Sequence, residues 1–276
     1  MSTPTQQSPF AELTQRAQSM WAQGNFARAG AEQVIVGELL VRALDIHPGQ
    51  SVLDVAAGSG NAALAAARRG AKVTATDFVP QLLRAAVQRA EVEGLHLDAQ
   101  EADAQCLPFA DGEFDVVLST FGVMYAPDQF RAAAELLRVC RPGGRVGLTA
   151  WTPNSVMAVT QAAAGRYAPF PQVPGMRSPM EWGKESRVRE LLGSGTTDLT
   201  ATILSTDMCG DSPAKRVSFN RTYVGPTKAV FDHLAPEDQD ALAGELAACL
   251  QRFNRATDGT LVATAEYLQI TAVRTD

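Results

Sequence analysis

The chain has 276 residues, 46% hydrophobic and 20% charged, a balance that suits a soluble globular protein with one large elaborated domain and excludes a disorder-dominated chain. Its formal net charge of −6, without clustered Lys and Arg, argues against nucleic acid as a partner. Four scattered cysteines (Cys106, Cys140, Cys209, Cys249) form no C-x-x-C pair and suggest neither zinc nor disulfides, and neither the polar start "MSTPTQQSPF" nor any later run reads as a leader or membrane span, so a cytoplasmic location is expected.

Two amphipathic patterns open the chain. Leu13, Ala17, Met20 and Trp21 share one helical face, Ala31, Val34, Ile35 and Leu39 another, and "AQGNFARAG" between them reads as a loop. This N-terminal helical cap is expected over residues 1–46. The turn "HPGQ", His47 to Gln50, then launches a central domain over 47–151. There strands and helices alternate: Ser51 to Ala56 strand, Asn61 to Arg69 helix, Lys72 to Thr76 strand, Gln81 to Glu93 helix, with Gly70 and Gly94 closing the two helices. "LDAQEA" is a weak strand and "FDVVLST" a strong one. A helix follows from Asp128 to Cys140, and "GRVGLTAW" is a strand entered through the turn "RPGG". Parallel strands need crossovers, so this alternation predicts an α/β fold with a doubly wound, Rossmann-like sheet.

Beyond Trp151 the pattern changes. Five prolines between Pro153 and Pro179, with Met157, Tyr167, Phe170, Met176 and Trp182, suit a lid over a pocket better than sheet core. A helix near Lys184 to Leu192, a strand "TDLTATILST", a helix from Pro236 to Arg255 and an alternating strand "LVATAEYLQITAV" complete residues 152–276.

In a doubly wound sheet the ligand lies beyond the carboxyl ends of the strands, so the loop after the first strand is the place to look. In "SVLDVAAGSGNAALAAARRG", Gly58 and Gly60 allow close approach to the main chain, and the helix from Asn61 offers amide donors. Asp77, 23 positions after Asp54, can accept two hydrogen bonds from a ribose diol, so an adenosine-bearing ligand is implied. "GSGNAA" also satisfies the dinucleotide pattern, which leaves two cofactor classes open at this point. No G-K-[ST] follows, which removes phosphoryl transfer.

The chain resembles the class I S-adenosylmethionine-dependent methyltransferases. Their first motif is matched by Asp54, Ala56, Gly58 and Gly60, with Ala56 standing where glycine is frequent. The resemblance continues through Asp77, "EADAQCLPFADGEFDVVLSTFGVMYAPD" and "ELLRVCRPGGRVGLTAW", and is nearest the small-molecule branch that includes quinone and biosynthetic methyltransferases. It implies a seven-stranded sheet with an antiparallel last strand and S-adenosylmethionine as cofactor, leaving as S-adenosylhomocysteine. By the same resemblance the Gly58 to Gly60 loop holds the methionine end, Asp54 faces its ammonium, Asp77 takes the ribose, Phe78 lies along the adenine, Asp103 and Ala104 address its edge, and Ser119 sits under the methionine portion.

Methyl transfer from a sulfonium asks mainly for alignment and exclusion of water, so no strong catalytic constellation is needed. Tyr125 and His233 are the catalytic candidates. Met124, Tyr125, Trp182 and Tyr223 are expected in the substrate pocket, and Trp21 and Phe26 are candidates to close over the cofactor; His47 and His96 are placed away from it. "STFGVMY" lacks the N/D-P-P-Y/F signature of amino-methylating enzymes that act on adenine or glutamine, and no P-C dipeptide supplies a nucleophile for cytosine C5, which leaves a small-molecule acceptor; a monomer or homodimer is expected. The alternatives are a nicotinamide-dependent oxidoreductase and a non-catalytic cofactor-binding module.

Overall fold

The computed structural model describes residues 10–167 and 173–275; the first nine residues, Pro169, Phe170 and Pro171 of the sequence reading lie outside them. Seven strands form one sheet in the order β3-β2-β1-β4-β5-β7-β6, comprising β1 Ser51–Val55, β2 Lys72–Asp77, β3 Asp98–Glu101, β4 Phe114–Thr120, β5 Cys140–Trp151, β6 Thr196–Gly210 and β7 Leu261–Arg274. Strands β1 to β5 pair in parallel, and β7 runs antiparallel between β5 and β6, as the resemblance implied. The order reverses between β1 and β4, which places a crevice at their carboxyl ends.

Each half of the sheet is covered because alternate side chains leave opposite faces. Val52, Val116 and Leu118 pack with α3 (Val34–Ala43), α4 (Asn61–Arg68) and α5 (Pro80–Val92). Leu53, Val55 and Val117 face the other way, toward α6 (Gln129–Val139). Helix α4 is alanine-rich because it is squeezed: a Cβ on Gly37 of α3 would lie 3.0 Å from the main chain of α4. Helix α6 begins where the sequence says, with the Asp128 side chain accepting from Arg131 N at 3.0 Å.

Four features depart from the sequence reading. "AQGNFARAG" is not all loop: after α1 (Ala11–Trp21) the chain forms a one-turn helix, α2 (Phe26–Ala29), capped by Asn25 Oδ1 accepting from Arg28 N. "RPGG" is an excursion inside β5, whose register against β4 jumps from Phe114↔Cys140 to Val116↔Arg145. The proline-rich segment holds a 12-residue helix, α7 (Val156–Tyr167), before a 3-10 turn Pro179–Gly183 and α8 (Glu185–Leu192). Between β6 and β7 two helices that the pattern missed, α9 (Pro213–Tyr223) and α10 (Gly225–Asp232), precede α11 (Pro236–Phe253).

Among the described residues no helix is long and apolar enough to cross a membrane, and no group of three or more His, Cys, Asp or Glu is arranged to hold a metal ion.

Candidate functional site

Two adjoining cavities lie over the switch point. The first is a cleft of about 90 Å³ along the ends of β1 and β2, whose lining includes Ala56, Gly58, Asp77, Phe78, Asp103 and Ala104. The second is a chamber of about 610 Å³ roofed by α1 and by the helices on either side of β6. Trp21, Phe26, Phe121 and Tyr125 line both. Trp21 meets Phe26 and Tyr125 edge to face at centroid distances of 5.6 and 5.2 Å, so the three rings form the partition. The apolar stripe of α1 read from the sequence therefore has a purpose other than core: α1 has no fully buried residue, and Leu13, Ala17 and Met20 face the chamber.

The cleft loop is bound from below by acids. Strand alternation turns Asp54 toward α4, where its Oδ2 accepts from Ala63 N at 2.8 Å. The cap position of α4 is Gly60, which has no side chain to offer, so a carboxylate from β1 caps the helix instead. Asp54 is wholly buried, and its Oδ1 has no partner. Burial pushes its pKa up to about 8; the Ala63 amide opposes this, and the nearby Asp77 charge adds to it. Asp77 ties two loops together, with Oδ2 accepting from Gly58 N and Oδ1 from Val79 N, both at 2.9 Å. Burial lifts it to about 6 against those amides.

Gly58 and Gly60 serve different ends. Both have positive φ, 56° and 81°. A Cβ on Gly58 would point across the cleft toward Phe26, 3.5 Å away, whereas one on Gly60 would lie 2.8 Å from Ala86 Cβ of α5, and Gly60 does not line the cleft. Ala56 also adopts positive φ, 54°, a conformation that favours glycine. Across the switch point Phe121 does the same at 55°, and a Cβ on Gly122 beside it would lie 2.4 Å from Ala56 O. Two left-handed non-glycine residues thus flank the crevice, and strain of this kind concentrates at functional sites.

Other candidates fall elsewhere. Ser119 lies inside β4, fully buried, donating to Val55 O at 2.6 Å and accepting from Val123 N at 3.0 Å; it clamps strand ends and lines neither cavity. Met124 and Trp182 are sealed in the core, the Trp182 indole N–H without a partner. Tyr223 packs outside the chamber under the Arg28 guanidinium, 4.5 Å from the ring centroid, and its carbonyl accepts from Asn25 N at 2.8 Å. His233 is exposed at the end of α10, its Nδ1 2.7 Å from Ala229 O, and reaches neither cavity. His47 and His96 are exposed beside Asp45 and Asp98.

Sequence reasoning missed three supports. Arg89 of α5 donates to Ser59 O and to Asn61 Oδ1, while Asn61 Nδ2 donates to Gly30 O at 2.8 Å, bolting the loop to both neighbours. Gln105 joins Asp103, Asp128 and Thr14 of α1. Gln161 of α7 donates to the Tyr125 hydroxyl at 2.6 Å. Apart from Gln105 with Asp103, these pairs span 23 to 91 positions of sequence, so no local pattern announces them.

Comparison with known proteins adds to this geometry. Residues 52–144 match the family described as "Methyltransferase domain". An uncharacterized protein of Mycobacterium tuberculosis is 42% identical over 98% of this chain and 97% of its own. The demethylmenaquinone methyltransferase of Thermobifida fusca is 45% identical over 109 residues, 38% of this chain and 45% of that one. Among solved structures, phosphoethanolamine N-methyltransferase 2 of Haemonchus contortus, in complex with phosphomonomethylethanolamine and S-adenosylhomocysteine, superposes with a TM-score of 0.58 at 16% identity, over 97% of this chain and 59% of the other.

Proposed function

We propose that the chain is a class I S-adenosylmethionine-dependent methyltransferase whose cleft takes the cofactor and whose chamber takes an apolar acceptor, with Tyr125 at the boundary. Methyl transfer to a small molecule is the reaction. When bound, the cofactor supplies a sulfonium-activated methyl group that leaves by in-line displacement.

The residues present suit that cofactor. An ammonium is served by the unpaired buried oxygen of Asp54, through water since Asp54 does not itself line the cleft, and a ribose by the remaining lone pairs of Asp77. Phe78, Asp103 and Ala104 line the same cleft for the adenine. A pyrophosphate is poorly served, because the Ala63 amide it would use at the start of α4 is already capped by an acid. That disfavours the nicotinamide alternative.

Tyr125 is a hydrogen-bond donor in this reading. Burial lifts its pKa to about 12, against the Gln161 hydrogen bond, so the phenol keeps its proton. With Gln161 as its donor, its own O–H is left to orient an acceptor oxygen at the cavity junction. The aromatic partition sheds water, and Met20, Met157, Met180 and Met208 give the chamber a wall that adapts to the acceptor.

The observation that carries the proposal is the pair of cavities sharing one aromatic partition at the switch point. Calorimetric titration should give heat with S-adenosylhomocysteine and none with NADH; the reverse would end the reading. Label from methyl-tritiated S-adenosylmethionine should then enter an organic extract when apolar metabolites are supplied. Binding without such transfer would favour the non-catalytic module.

A further inference from the structure

Five charged residues line the chamber, Arg16, Glu32, Arg177, Asp207 and Arg216, and of these only Arg216 is buried. Arg216 of α9 is 7% exposed and lines the chamber. Its Nε donates to Asn220 Oδ1 at 3.1 Å, its Nη1 to Cys209 O at 3.1 Å and to Glu32 Oε1, and its side chain lies 5.2 Å from the Phe219 ring centroid. Nη2 has no partner among the described residues, yet it is not among the sealed polar atoms, so it keeps accessible surface. Oε2 of Glu32, which also lines the chamber, stands likewise open.

Resting on the reading of the chamber as the acceptor site, we infer that Arg216 and Glu32 form a head-group site that selects ring compounds presenting a carbonyl beside a hydrogen-bond donor, such as an enol, hydroxyl or ring N–H. The open Nη2 donates to the carbonyl oxygen, and the open Oε2 accepts from the adjacent donor. The pair is neutral as a unit, so a phosphate meets the Glu32 carboxylate and an ammonium meets the guanidinium; each charged head is opposed by one partner. The remaining walls, Met157, Met208, Trp151 and Val217 among them, hold the apolar body.

With the guanidinium of Arg216 this enclosed, the ion pair is no efficient source of stability, since apolar side chains of the same shape do as well or better. Stapling the segment before α3 to α9 uses only Nη1 and Oε1. The two open atoms are what a staple does not require.

Three bicyclic probes isolate the head: 2-quinolone carries carbonyl and N–H, N-methyl-2-quinolone lacks the donor, and 2-methylnaphthalene lacks both. Titrated into the full chain saturated with S-adenosylhomocysteine, 2-quinolone should bind about tenfold more tightly than either of the others. Arg216→Lys keeps the charge and a contact to Glu32 but loses Nη2, and Glu32→Gln removes the open carboxylate oxygen. Each should erase the preference while leaving affinity for S-adenosylhomocysteine as it was. Three equal affinities, no binding of any probe, or a preference unchanged in both variants would overturn the inference. Failure of the wild-type chain to bind S-adenosylhomocysteine, with the quinolone preference intact in its absence, would strike the cofactor reading and leave the head site standing.

Discussion

Asp54 carries opposing demands: it must cap α4 from a fully buried position, and burial favours its neutral form. With a folded pKa of about 8 against an ordinary 3.8, its contribution to stability is complete below about pH 4 and is lost as pH rises through 8; Asp77 adds the same trend up to about 6. The cofactor-free protein should therefore lose thermal stability from pH 5 to 8, and Asp54→Asn should flatten that decline. Melting temperatures at both ends of the range check this, and an equally steep slope in the variant would refute the assignment. The two glycines of the motif separate by the same logic. Gly58→Val should raise the dissociation constant of S-adenosylhomocysteine by well over tenfold, since its side chain enters the cleft, on top of about 1–2 kcal/mol of left-handed strain. Gly60→Val, directed into Ala86, should cost stability first, so comparing melting and titration ranks the two residues oppositely. The sequence made the loop legible because acid and glycine requirements are local. It could not tell which glycine faces the ligand, because that depends on where α5 lies. Ser119, Met124 and Trp182 line neither cavity for a related reason: whether a side chain faces cavity or core is decided by the layer packed over it.

At the scale of elements, the parallel half of the sheet was readable because each strand and its returning helix fit within a short window of alternating patterns. Helix α7 was not, since prolines on both sides masked a helix lacking a sharply apolar face. Helices α9 and α10 show the same difficulty, and few of their residues are fully buried because they wall a cavity. Helix α2 is the smallest element with a direct bearing on function. One turn cannot hold itself by propensity, so its cap and the anchor from Asn25 N to Tyr223 O matter. Asn25→Ala should cost about 1 kcal/mol locally. Because α2 carries Phe26 into both cavities, that cost should emerge as a roughly fivefold weaker affinity for S-adenosylhomocysteine, by calorimetry, with little change in overall melting. Asn25→Asp, which keeps the acceptor, should bind as the parent does.

Across the whole molecule, the first elements and the last third of the chain meet over the switch point without sharing a strand. Glycine backbones meet where they join: a Cβ on Gly24 would lie 2.5 Å from Gly225 N and 2.6 Å from Tyr223 O, and one on Gly225 would lie 2.3 Å from Met20 O. Backbone lies against backbone there, so neither side can yield as a flexible side chain would. The sheet does not depend on this contact, but the roof of the chamber does, since α1 is held at its end by it and by the link from Gln105 to Thr14. Gly24→Val should therefore part the roof from the sheet. Hydrogen exchange should quicken across α1 and α2 while β1, β2, β4 and β5 stay protected, and affinity for S-adenosylhomocysteine should fall about tenfold. Gly244 of α11, with nothing within 4 Å of its would-be Cβ, supplies the contrast: Gly244→Ala should raise stability by about 0.5–1 kcal/mol and leave binding alone. Unchanged exchange in α1 of the Gly24 variant would mean that the roof is held by its apolar stripe, and that the glycine contact follows from closure without causing it.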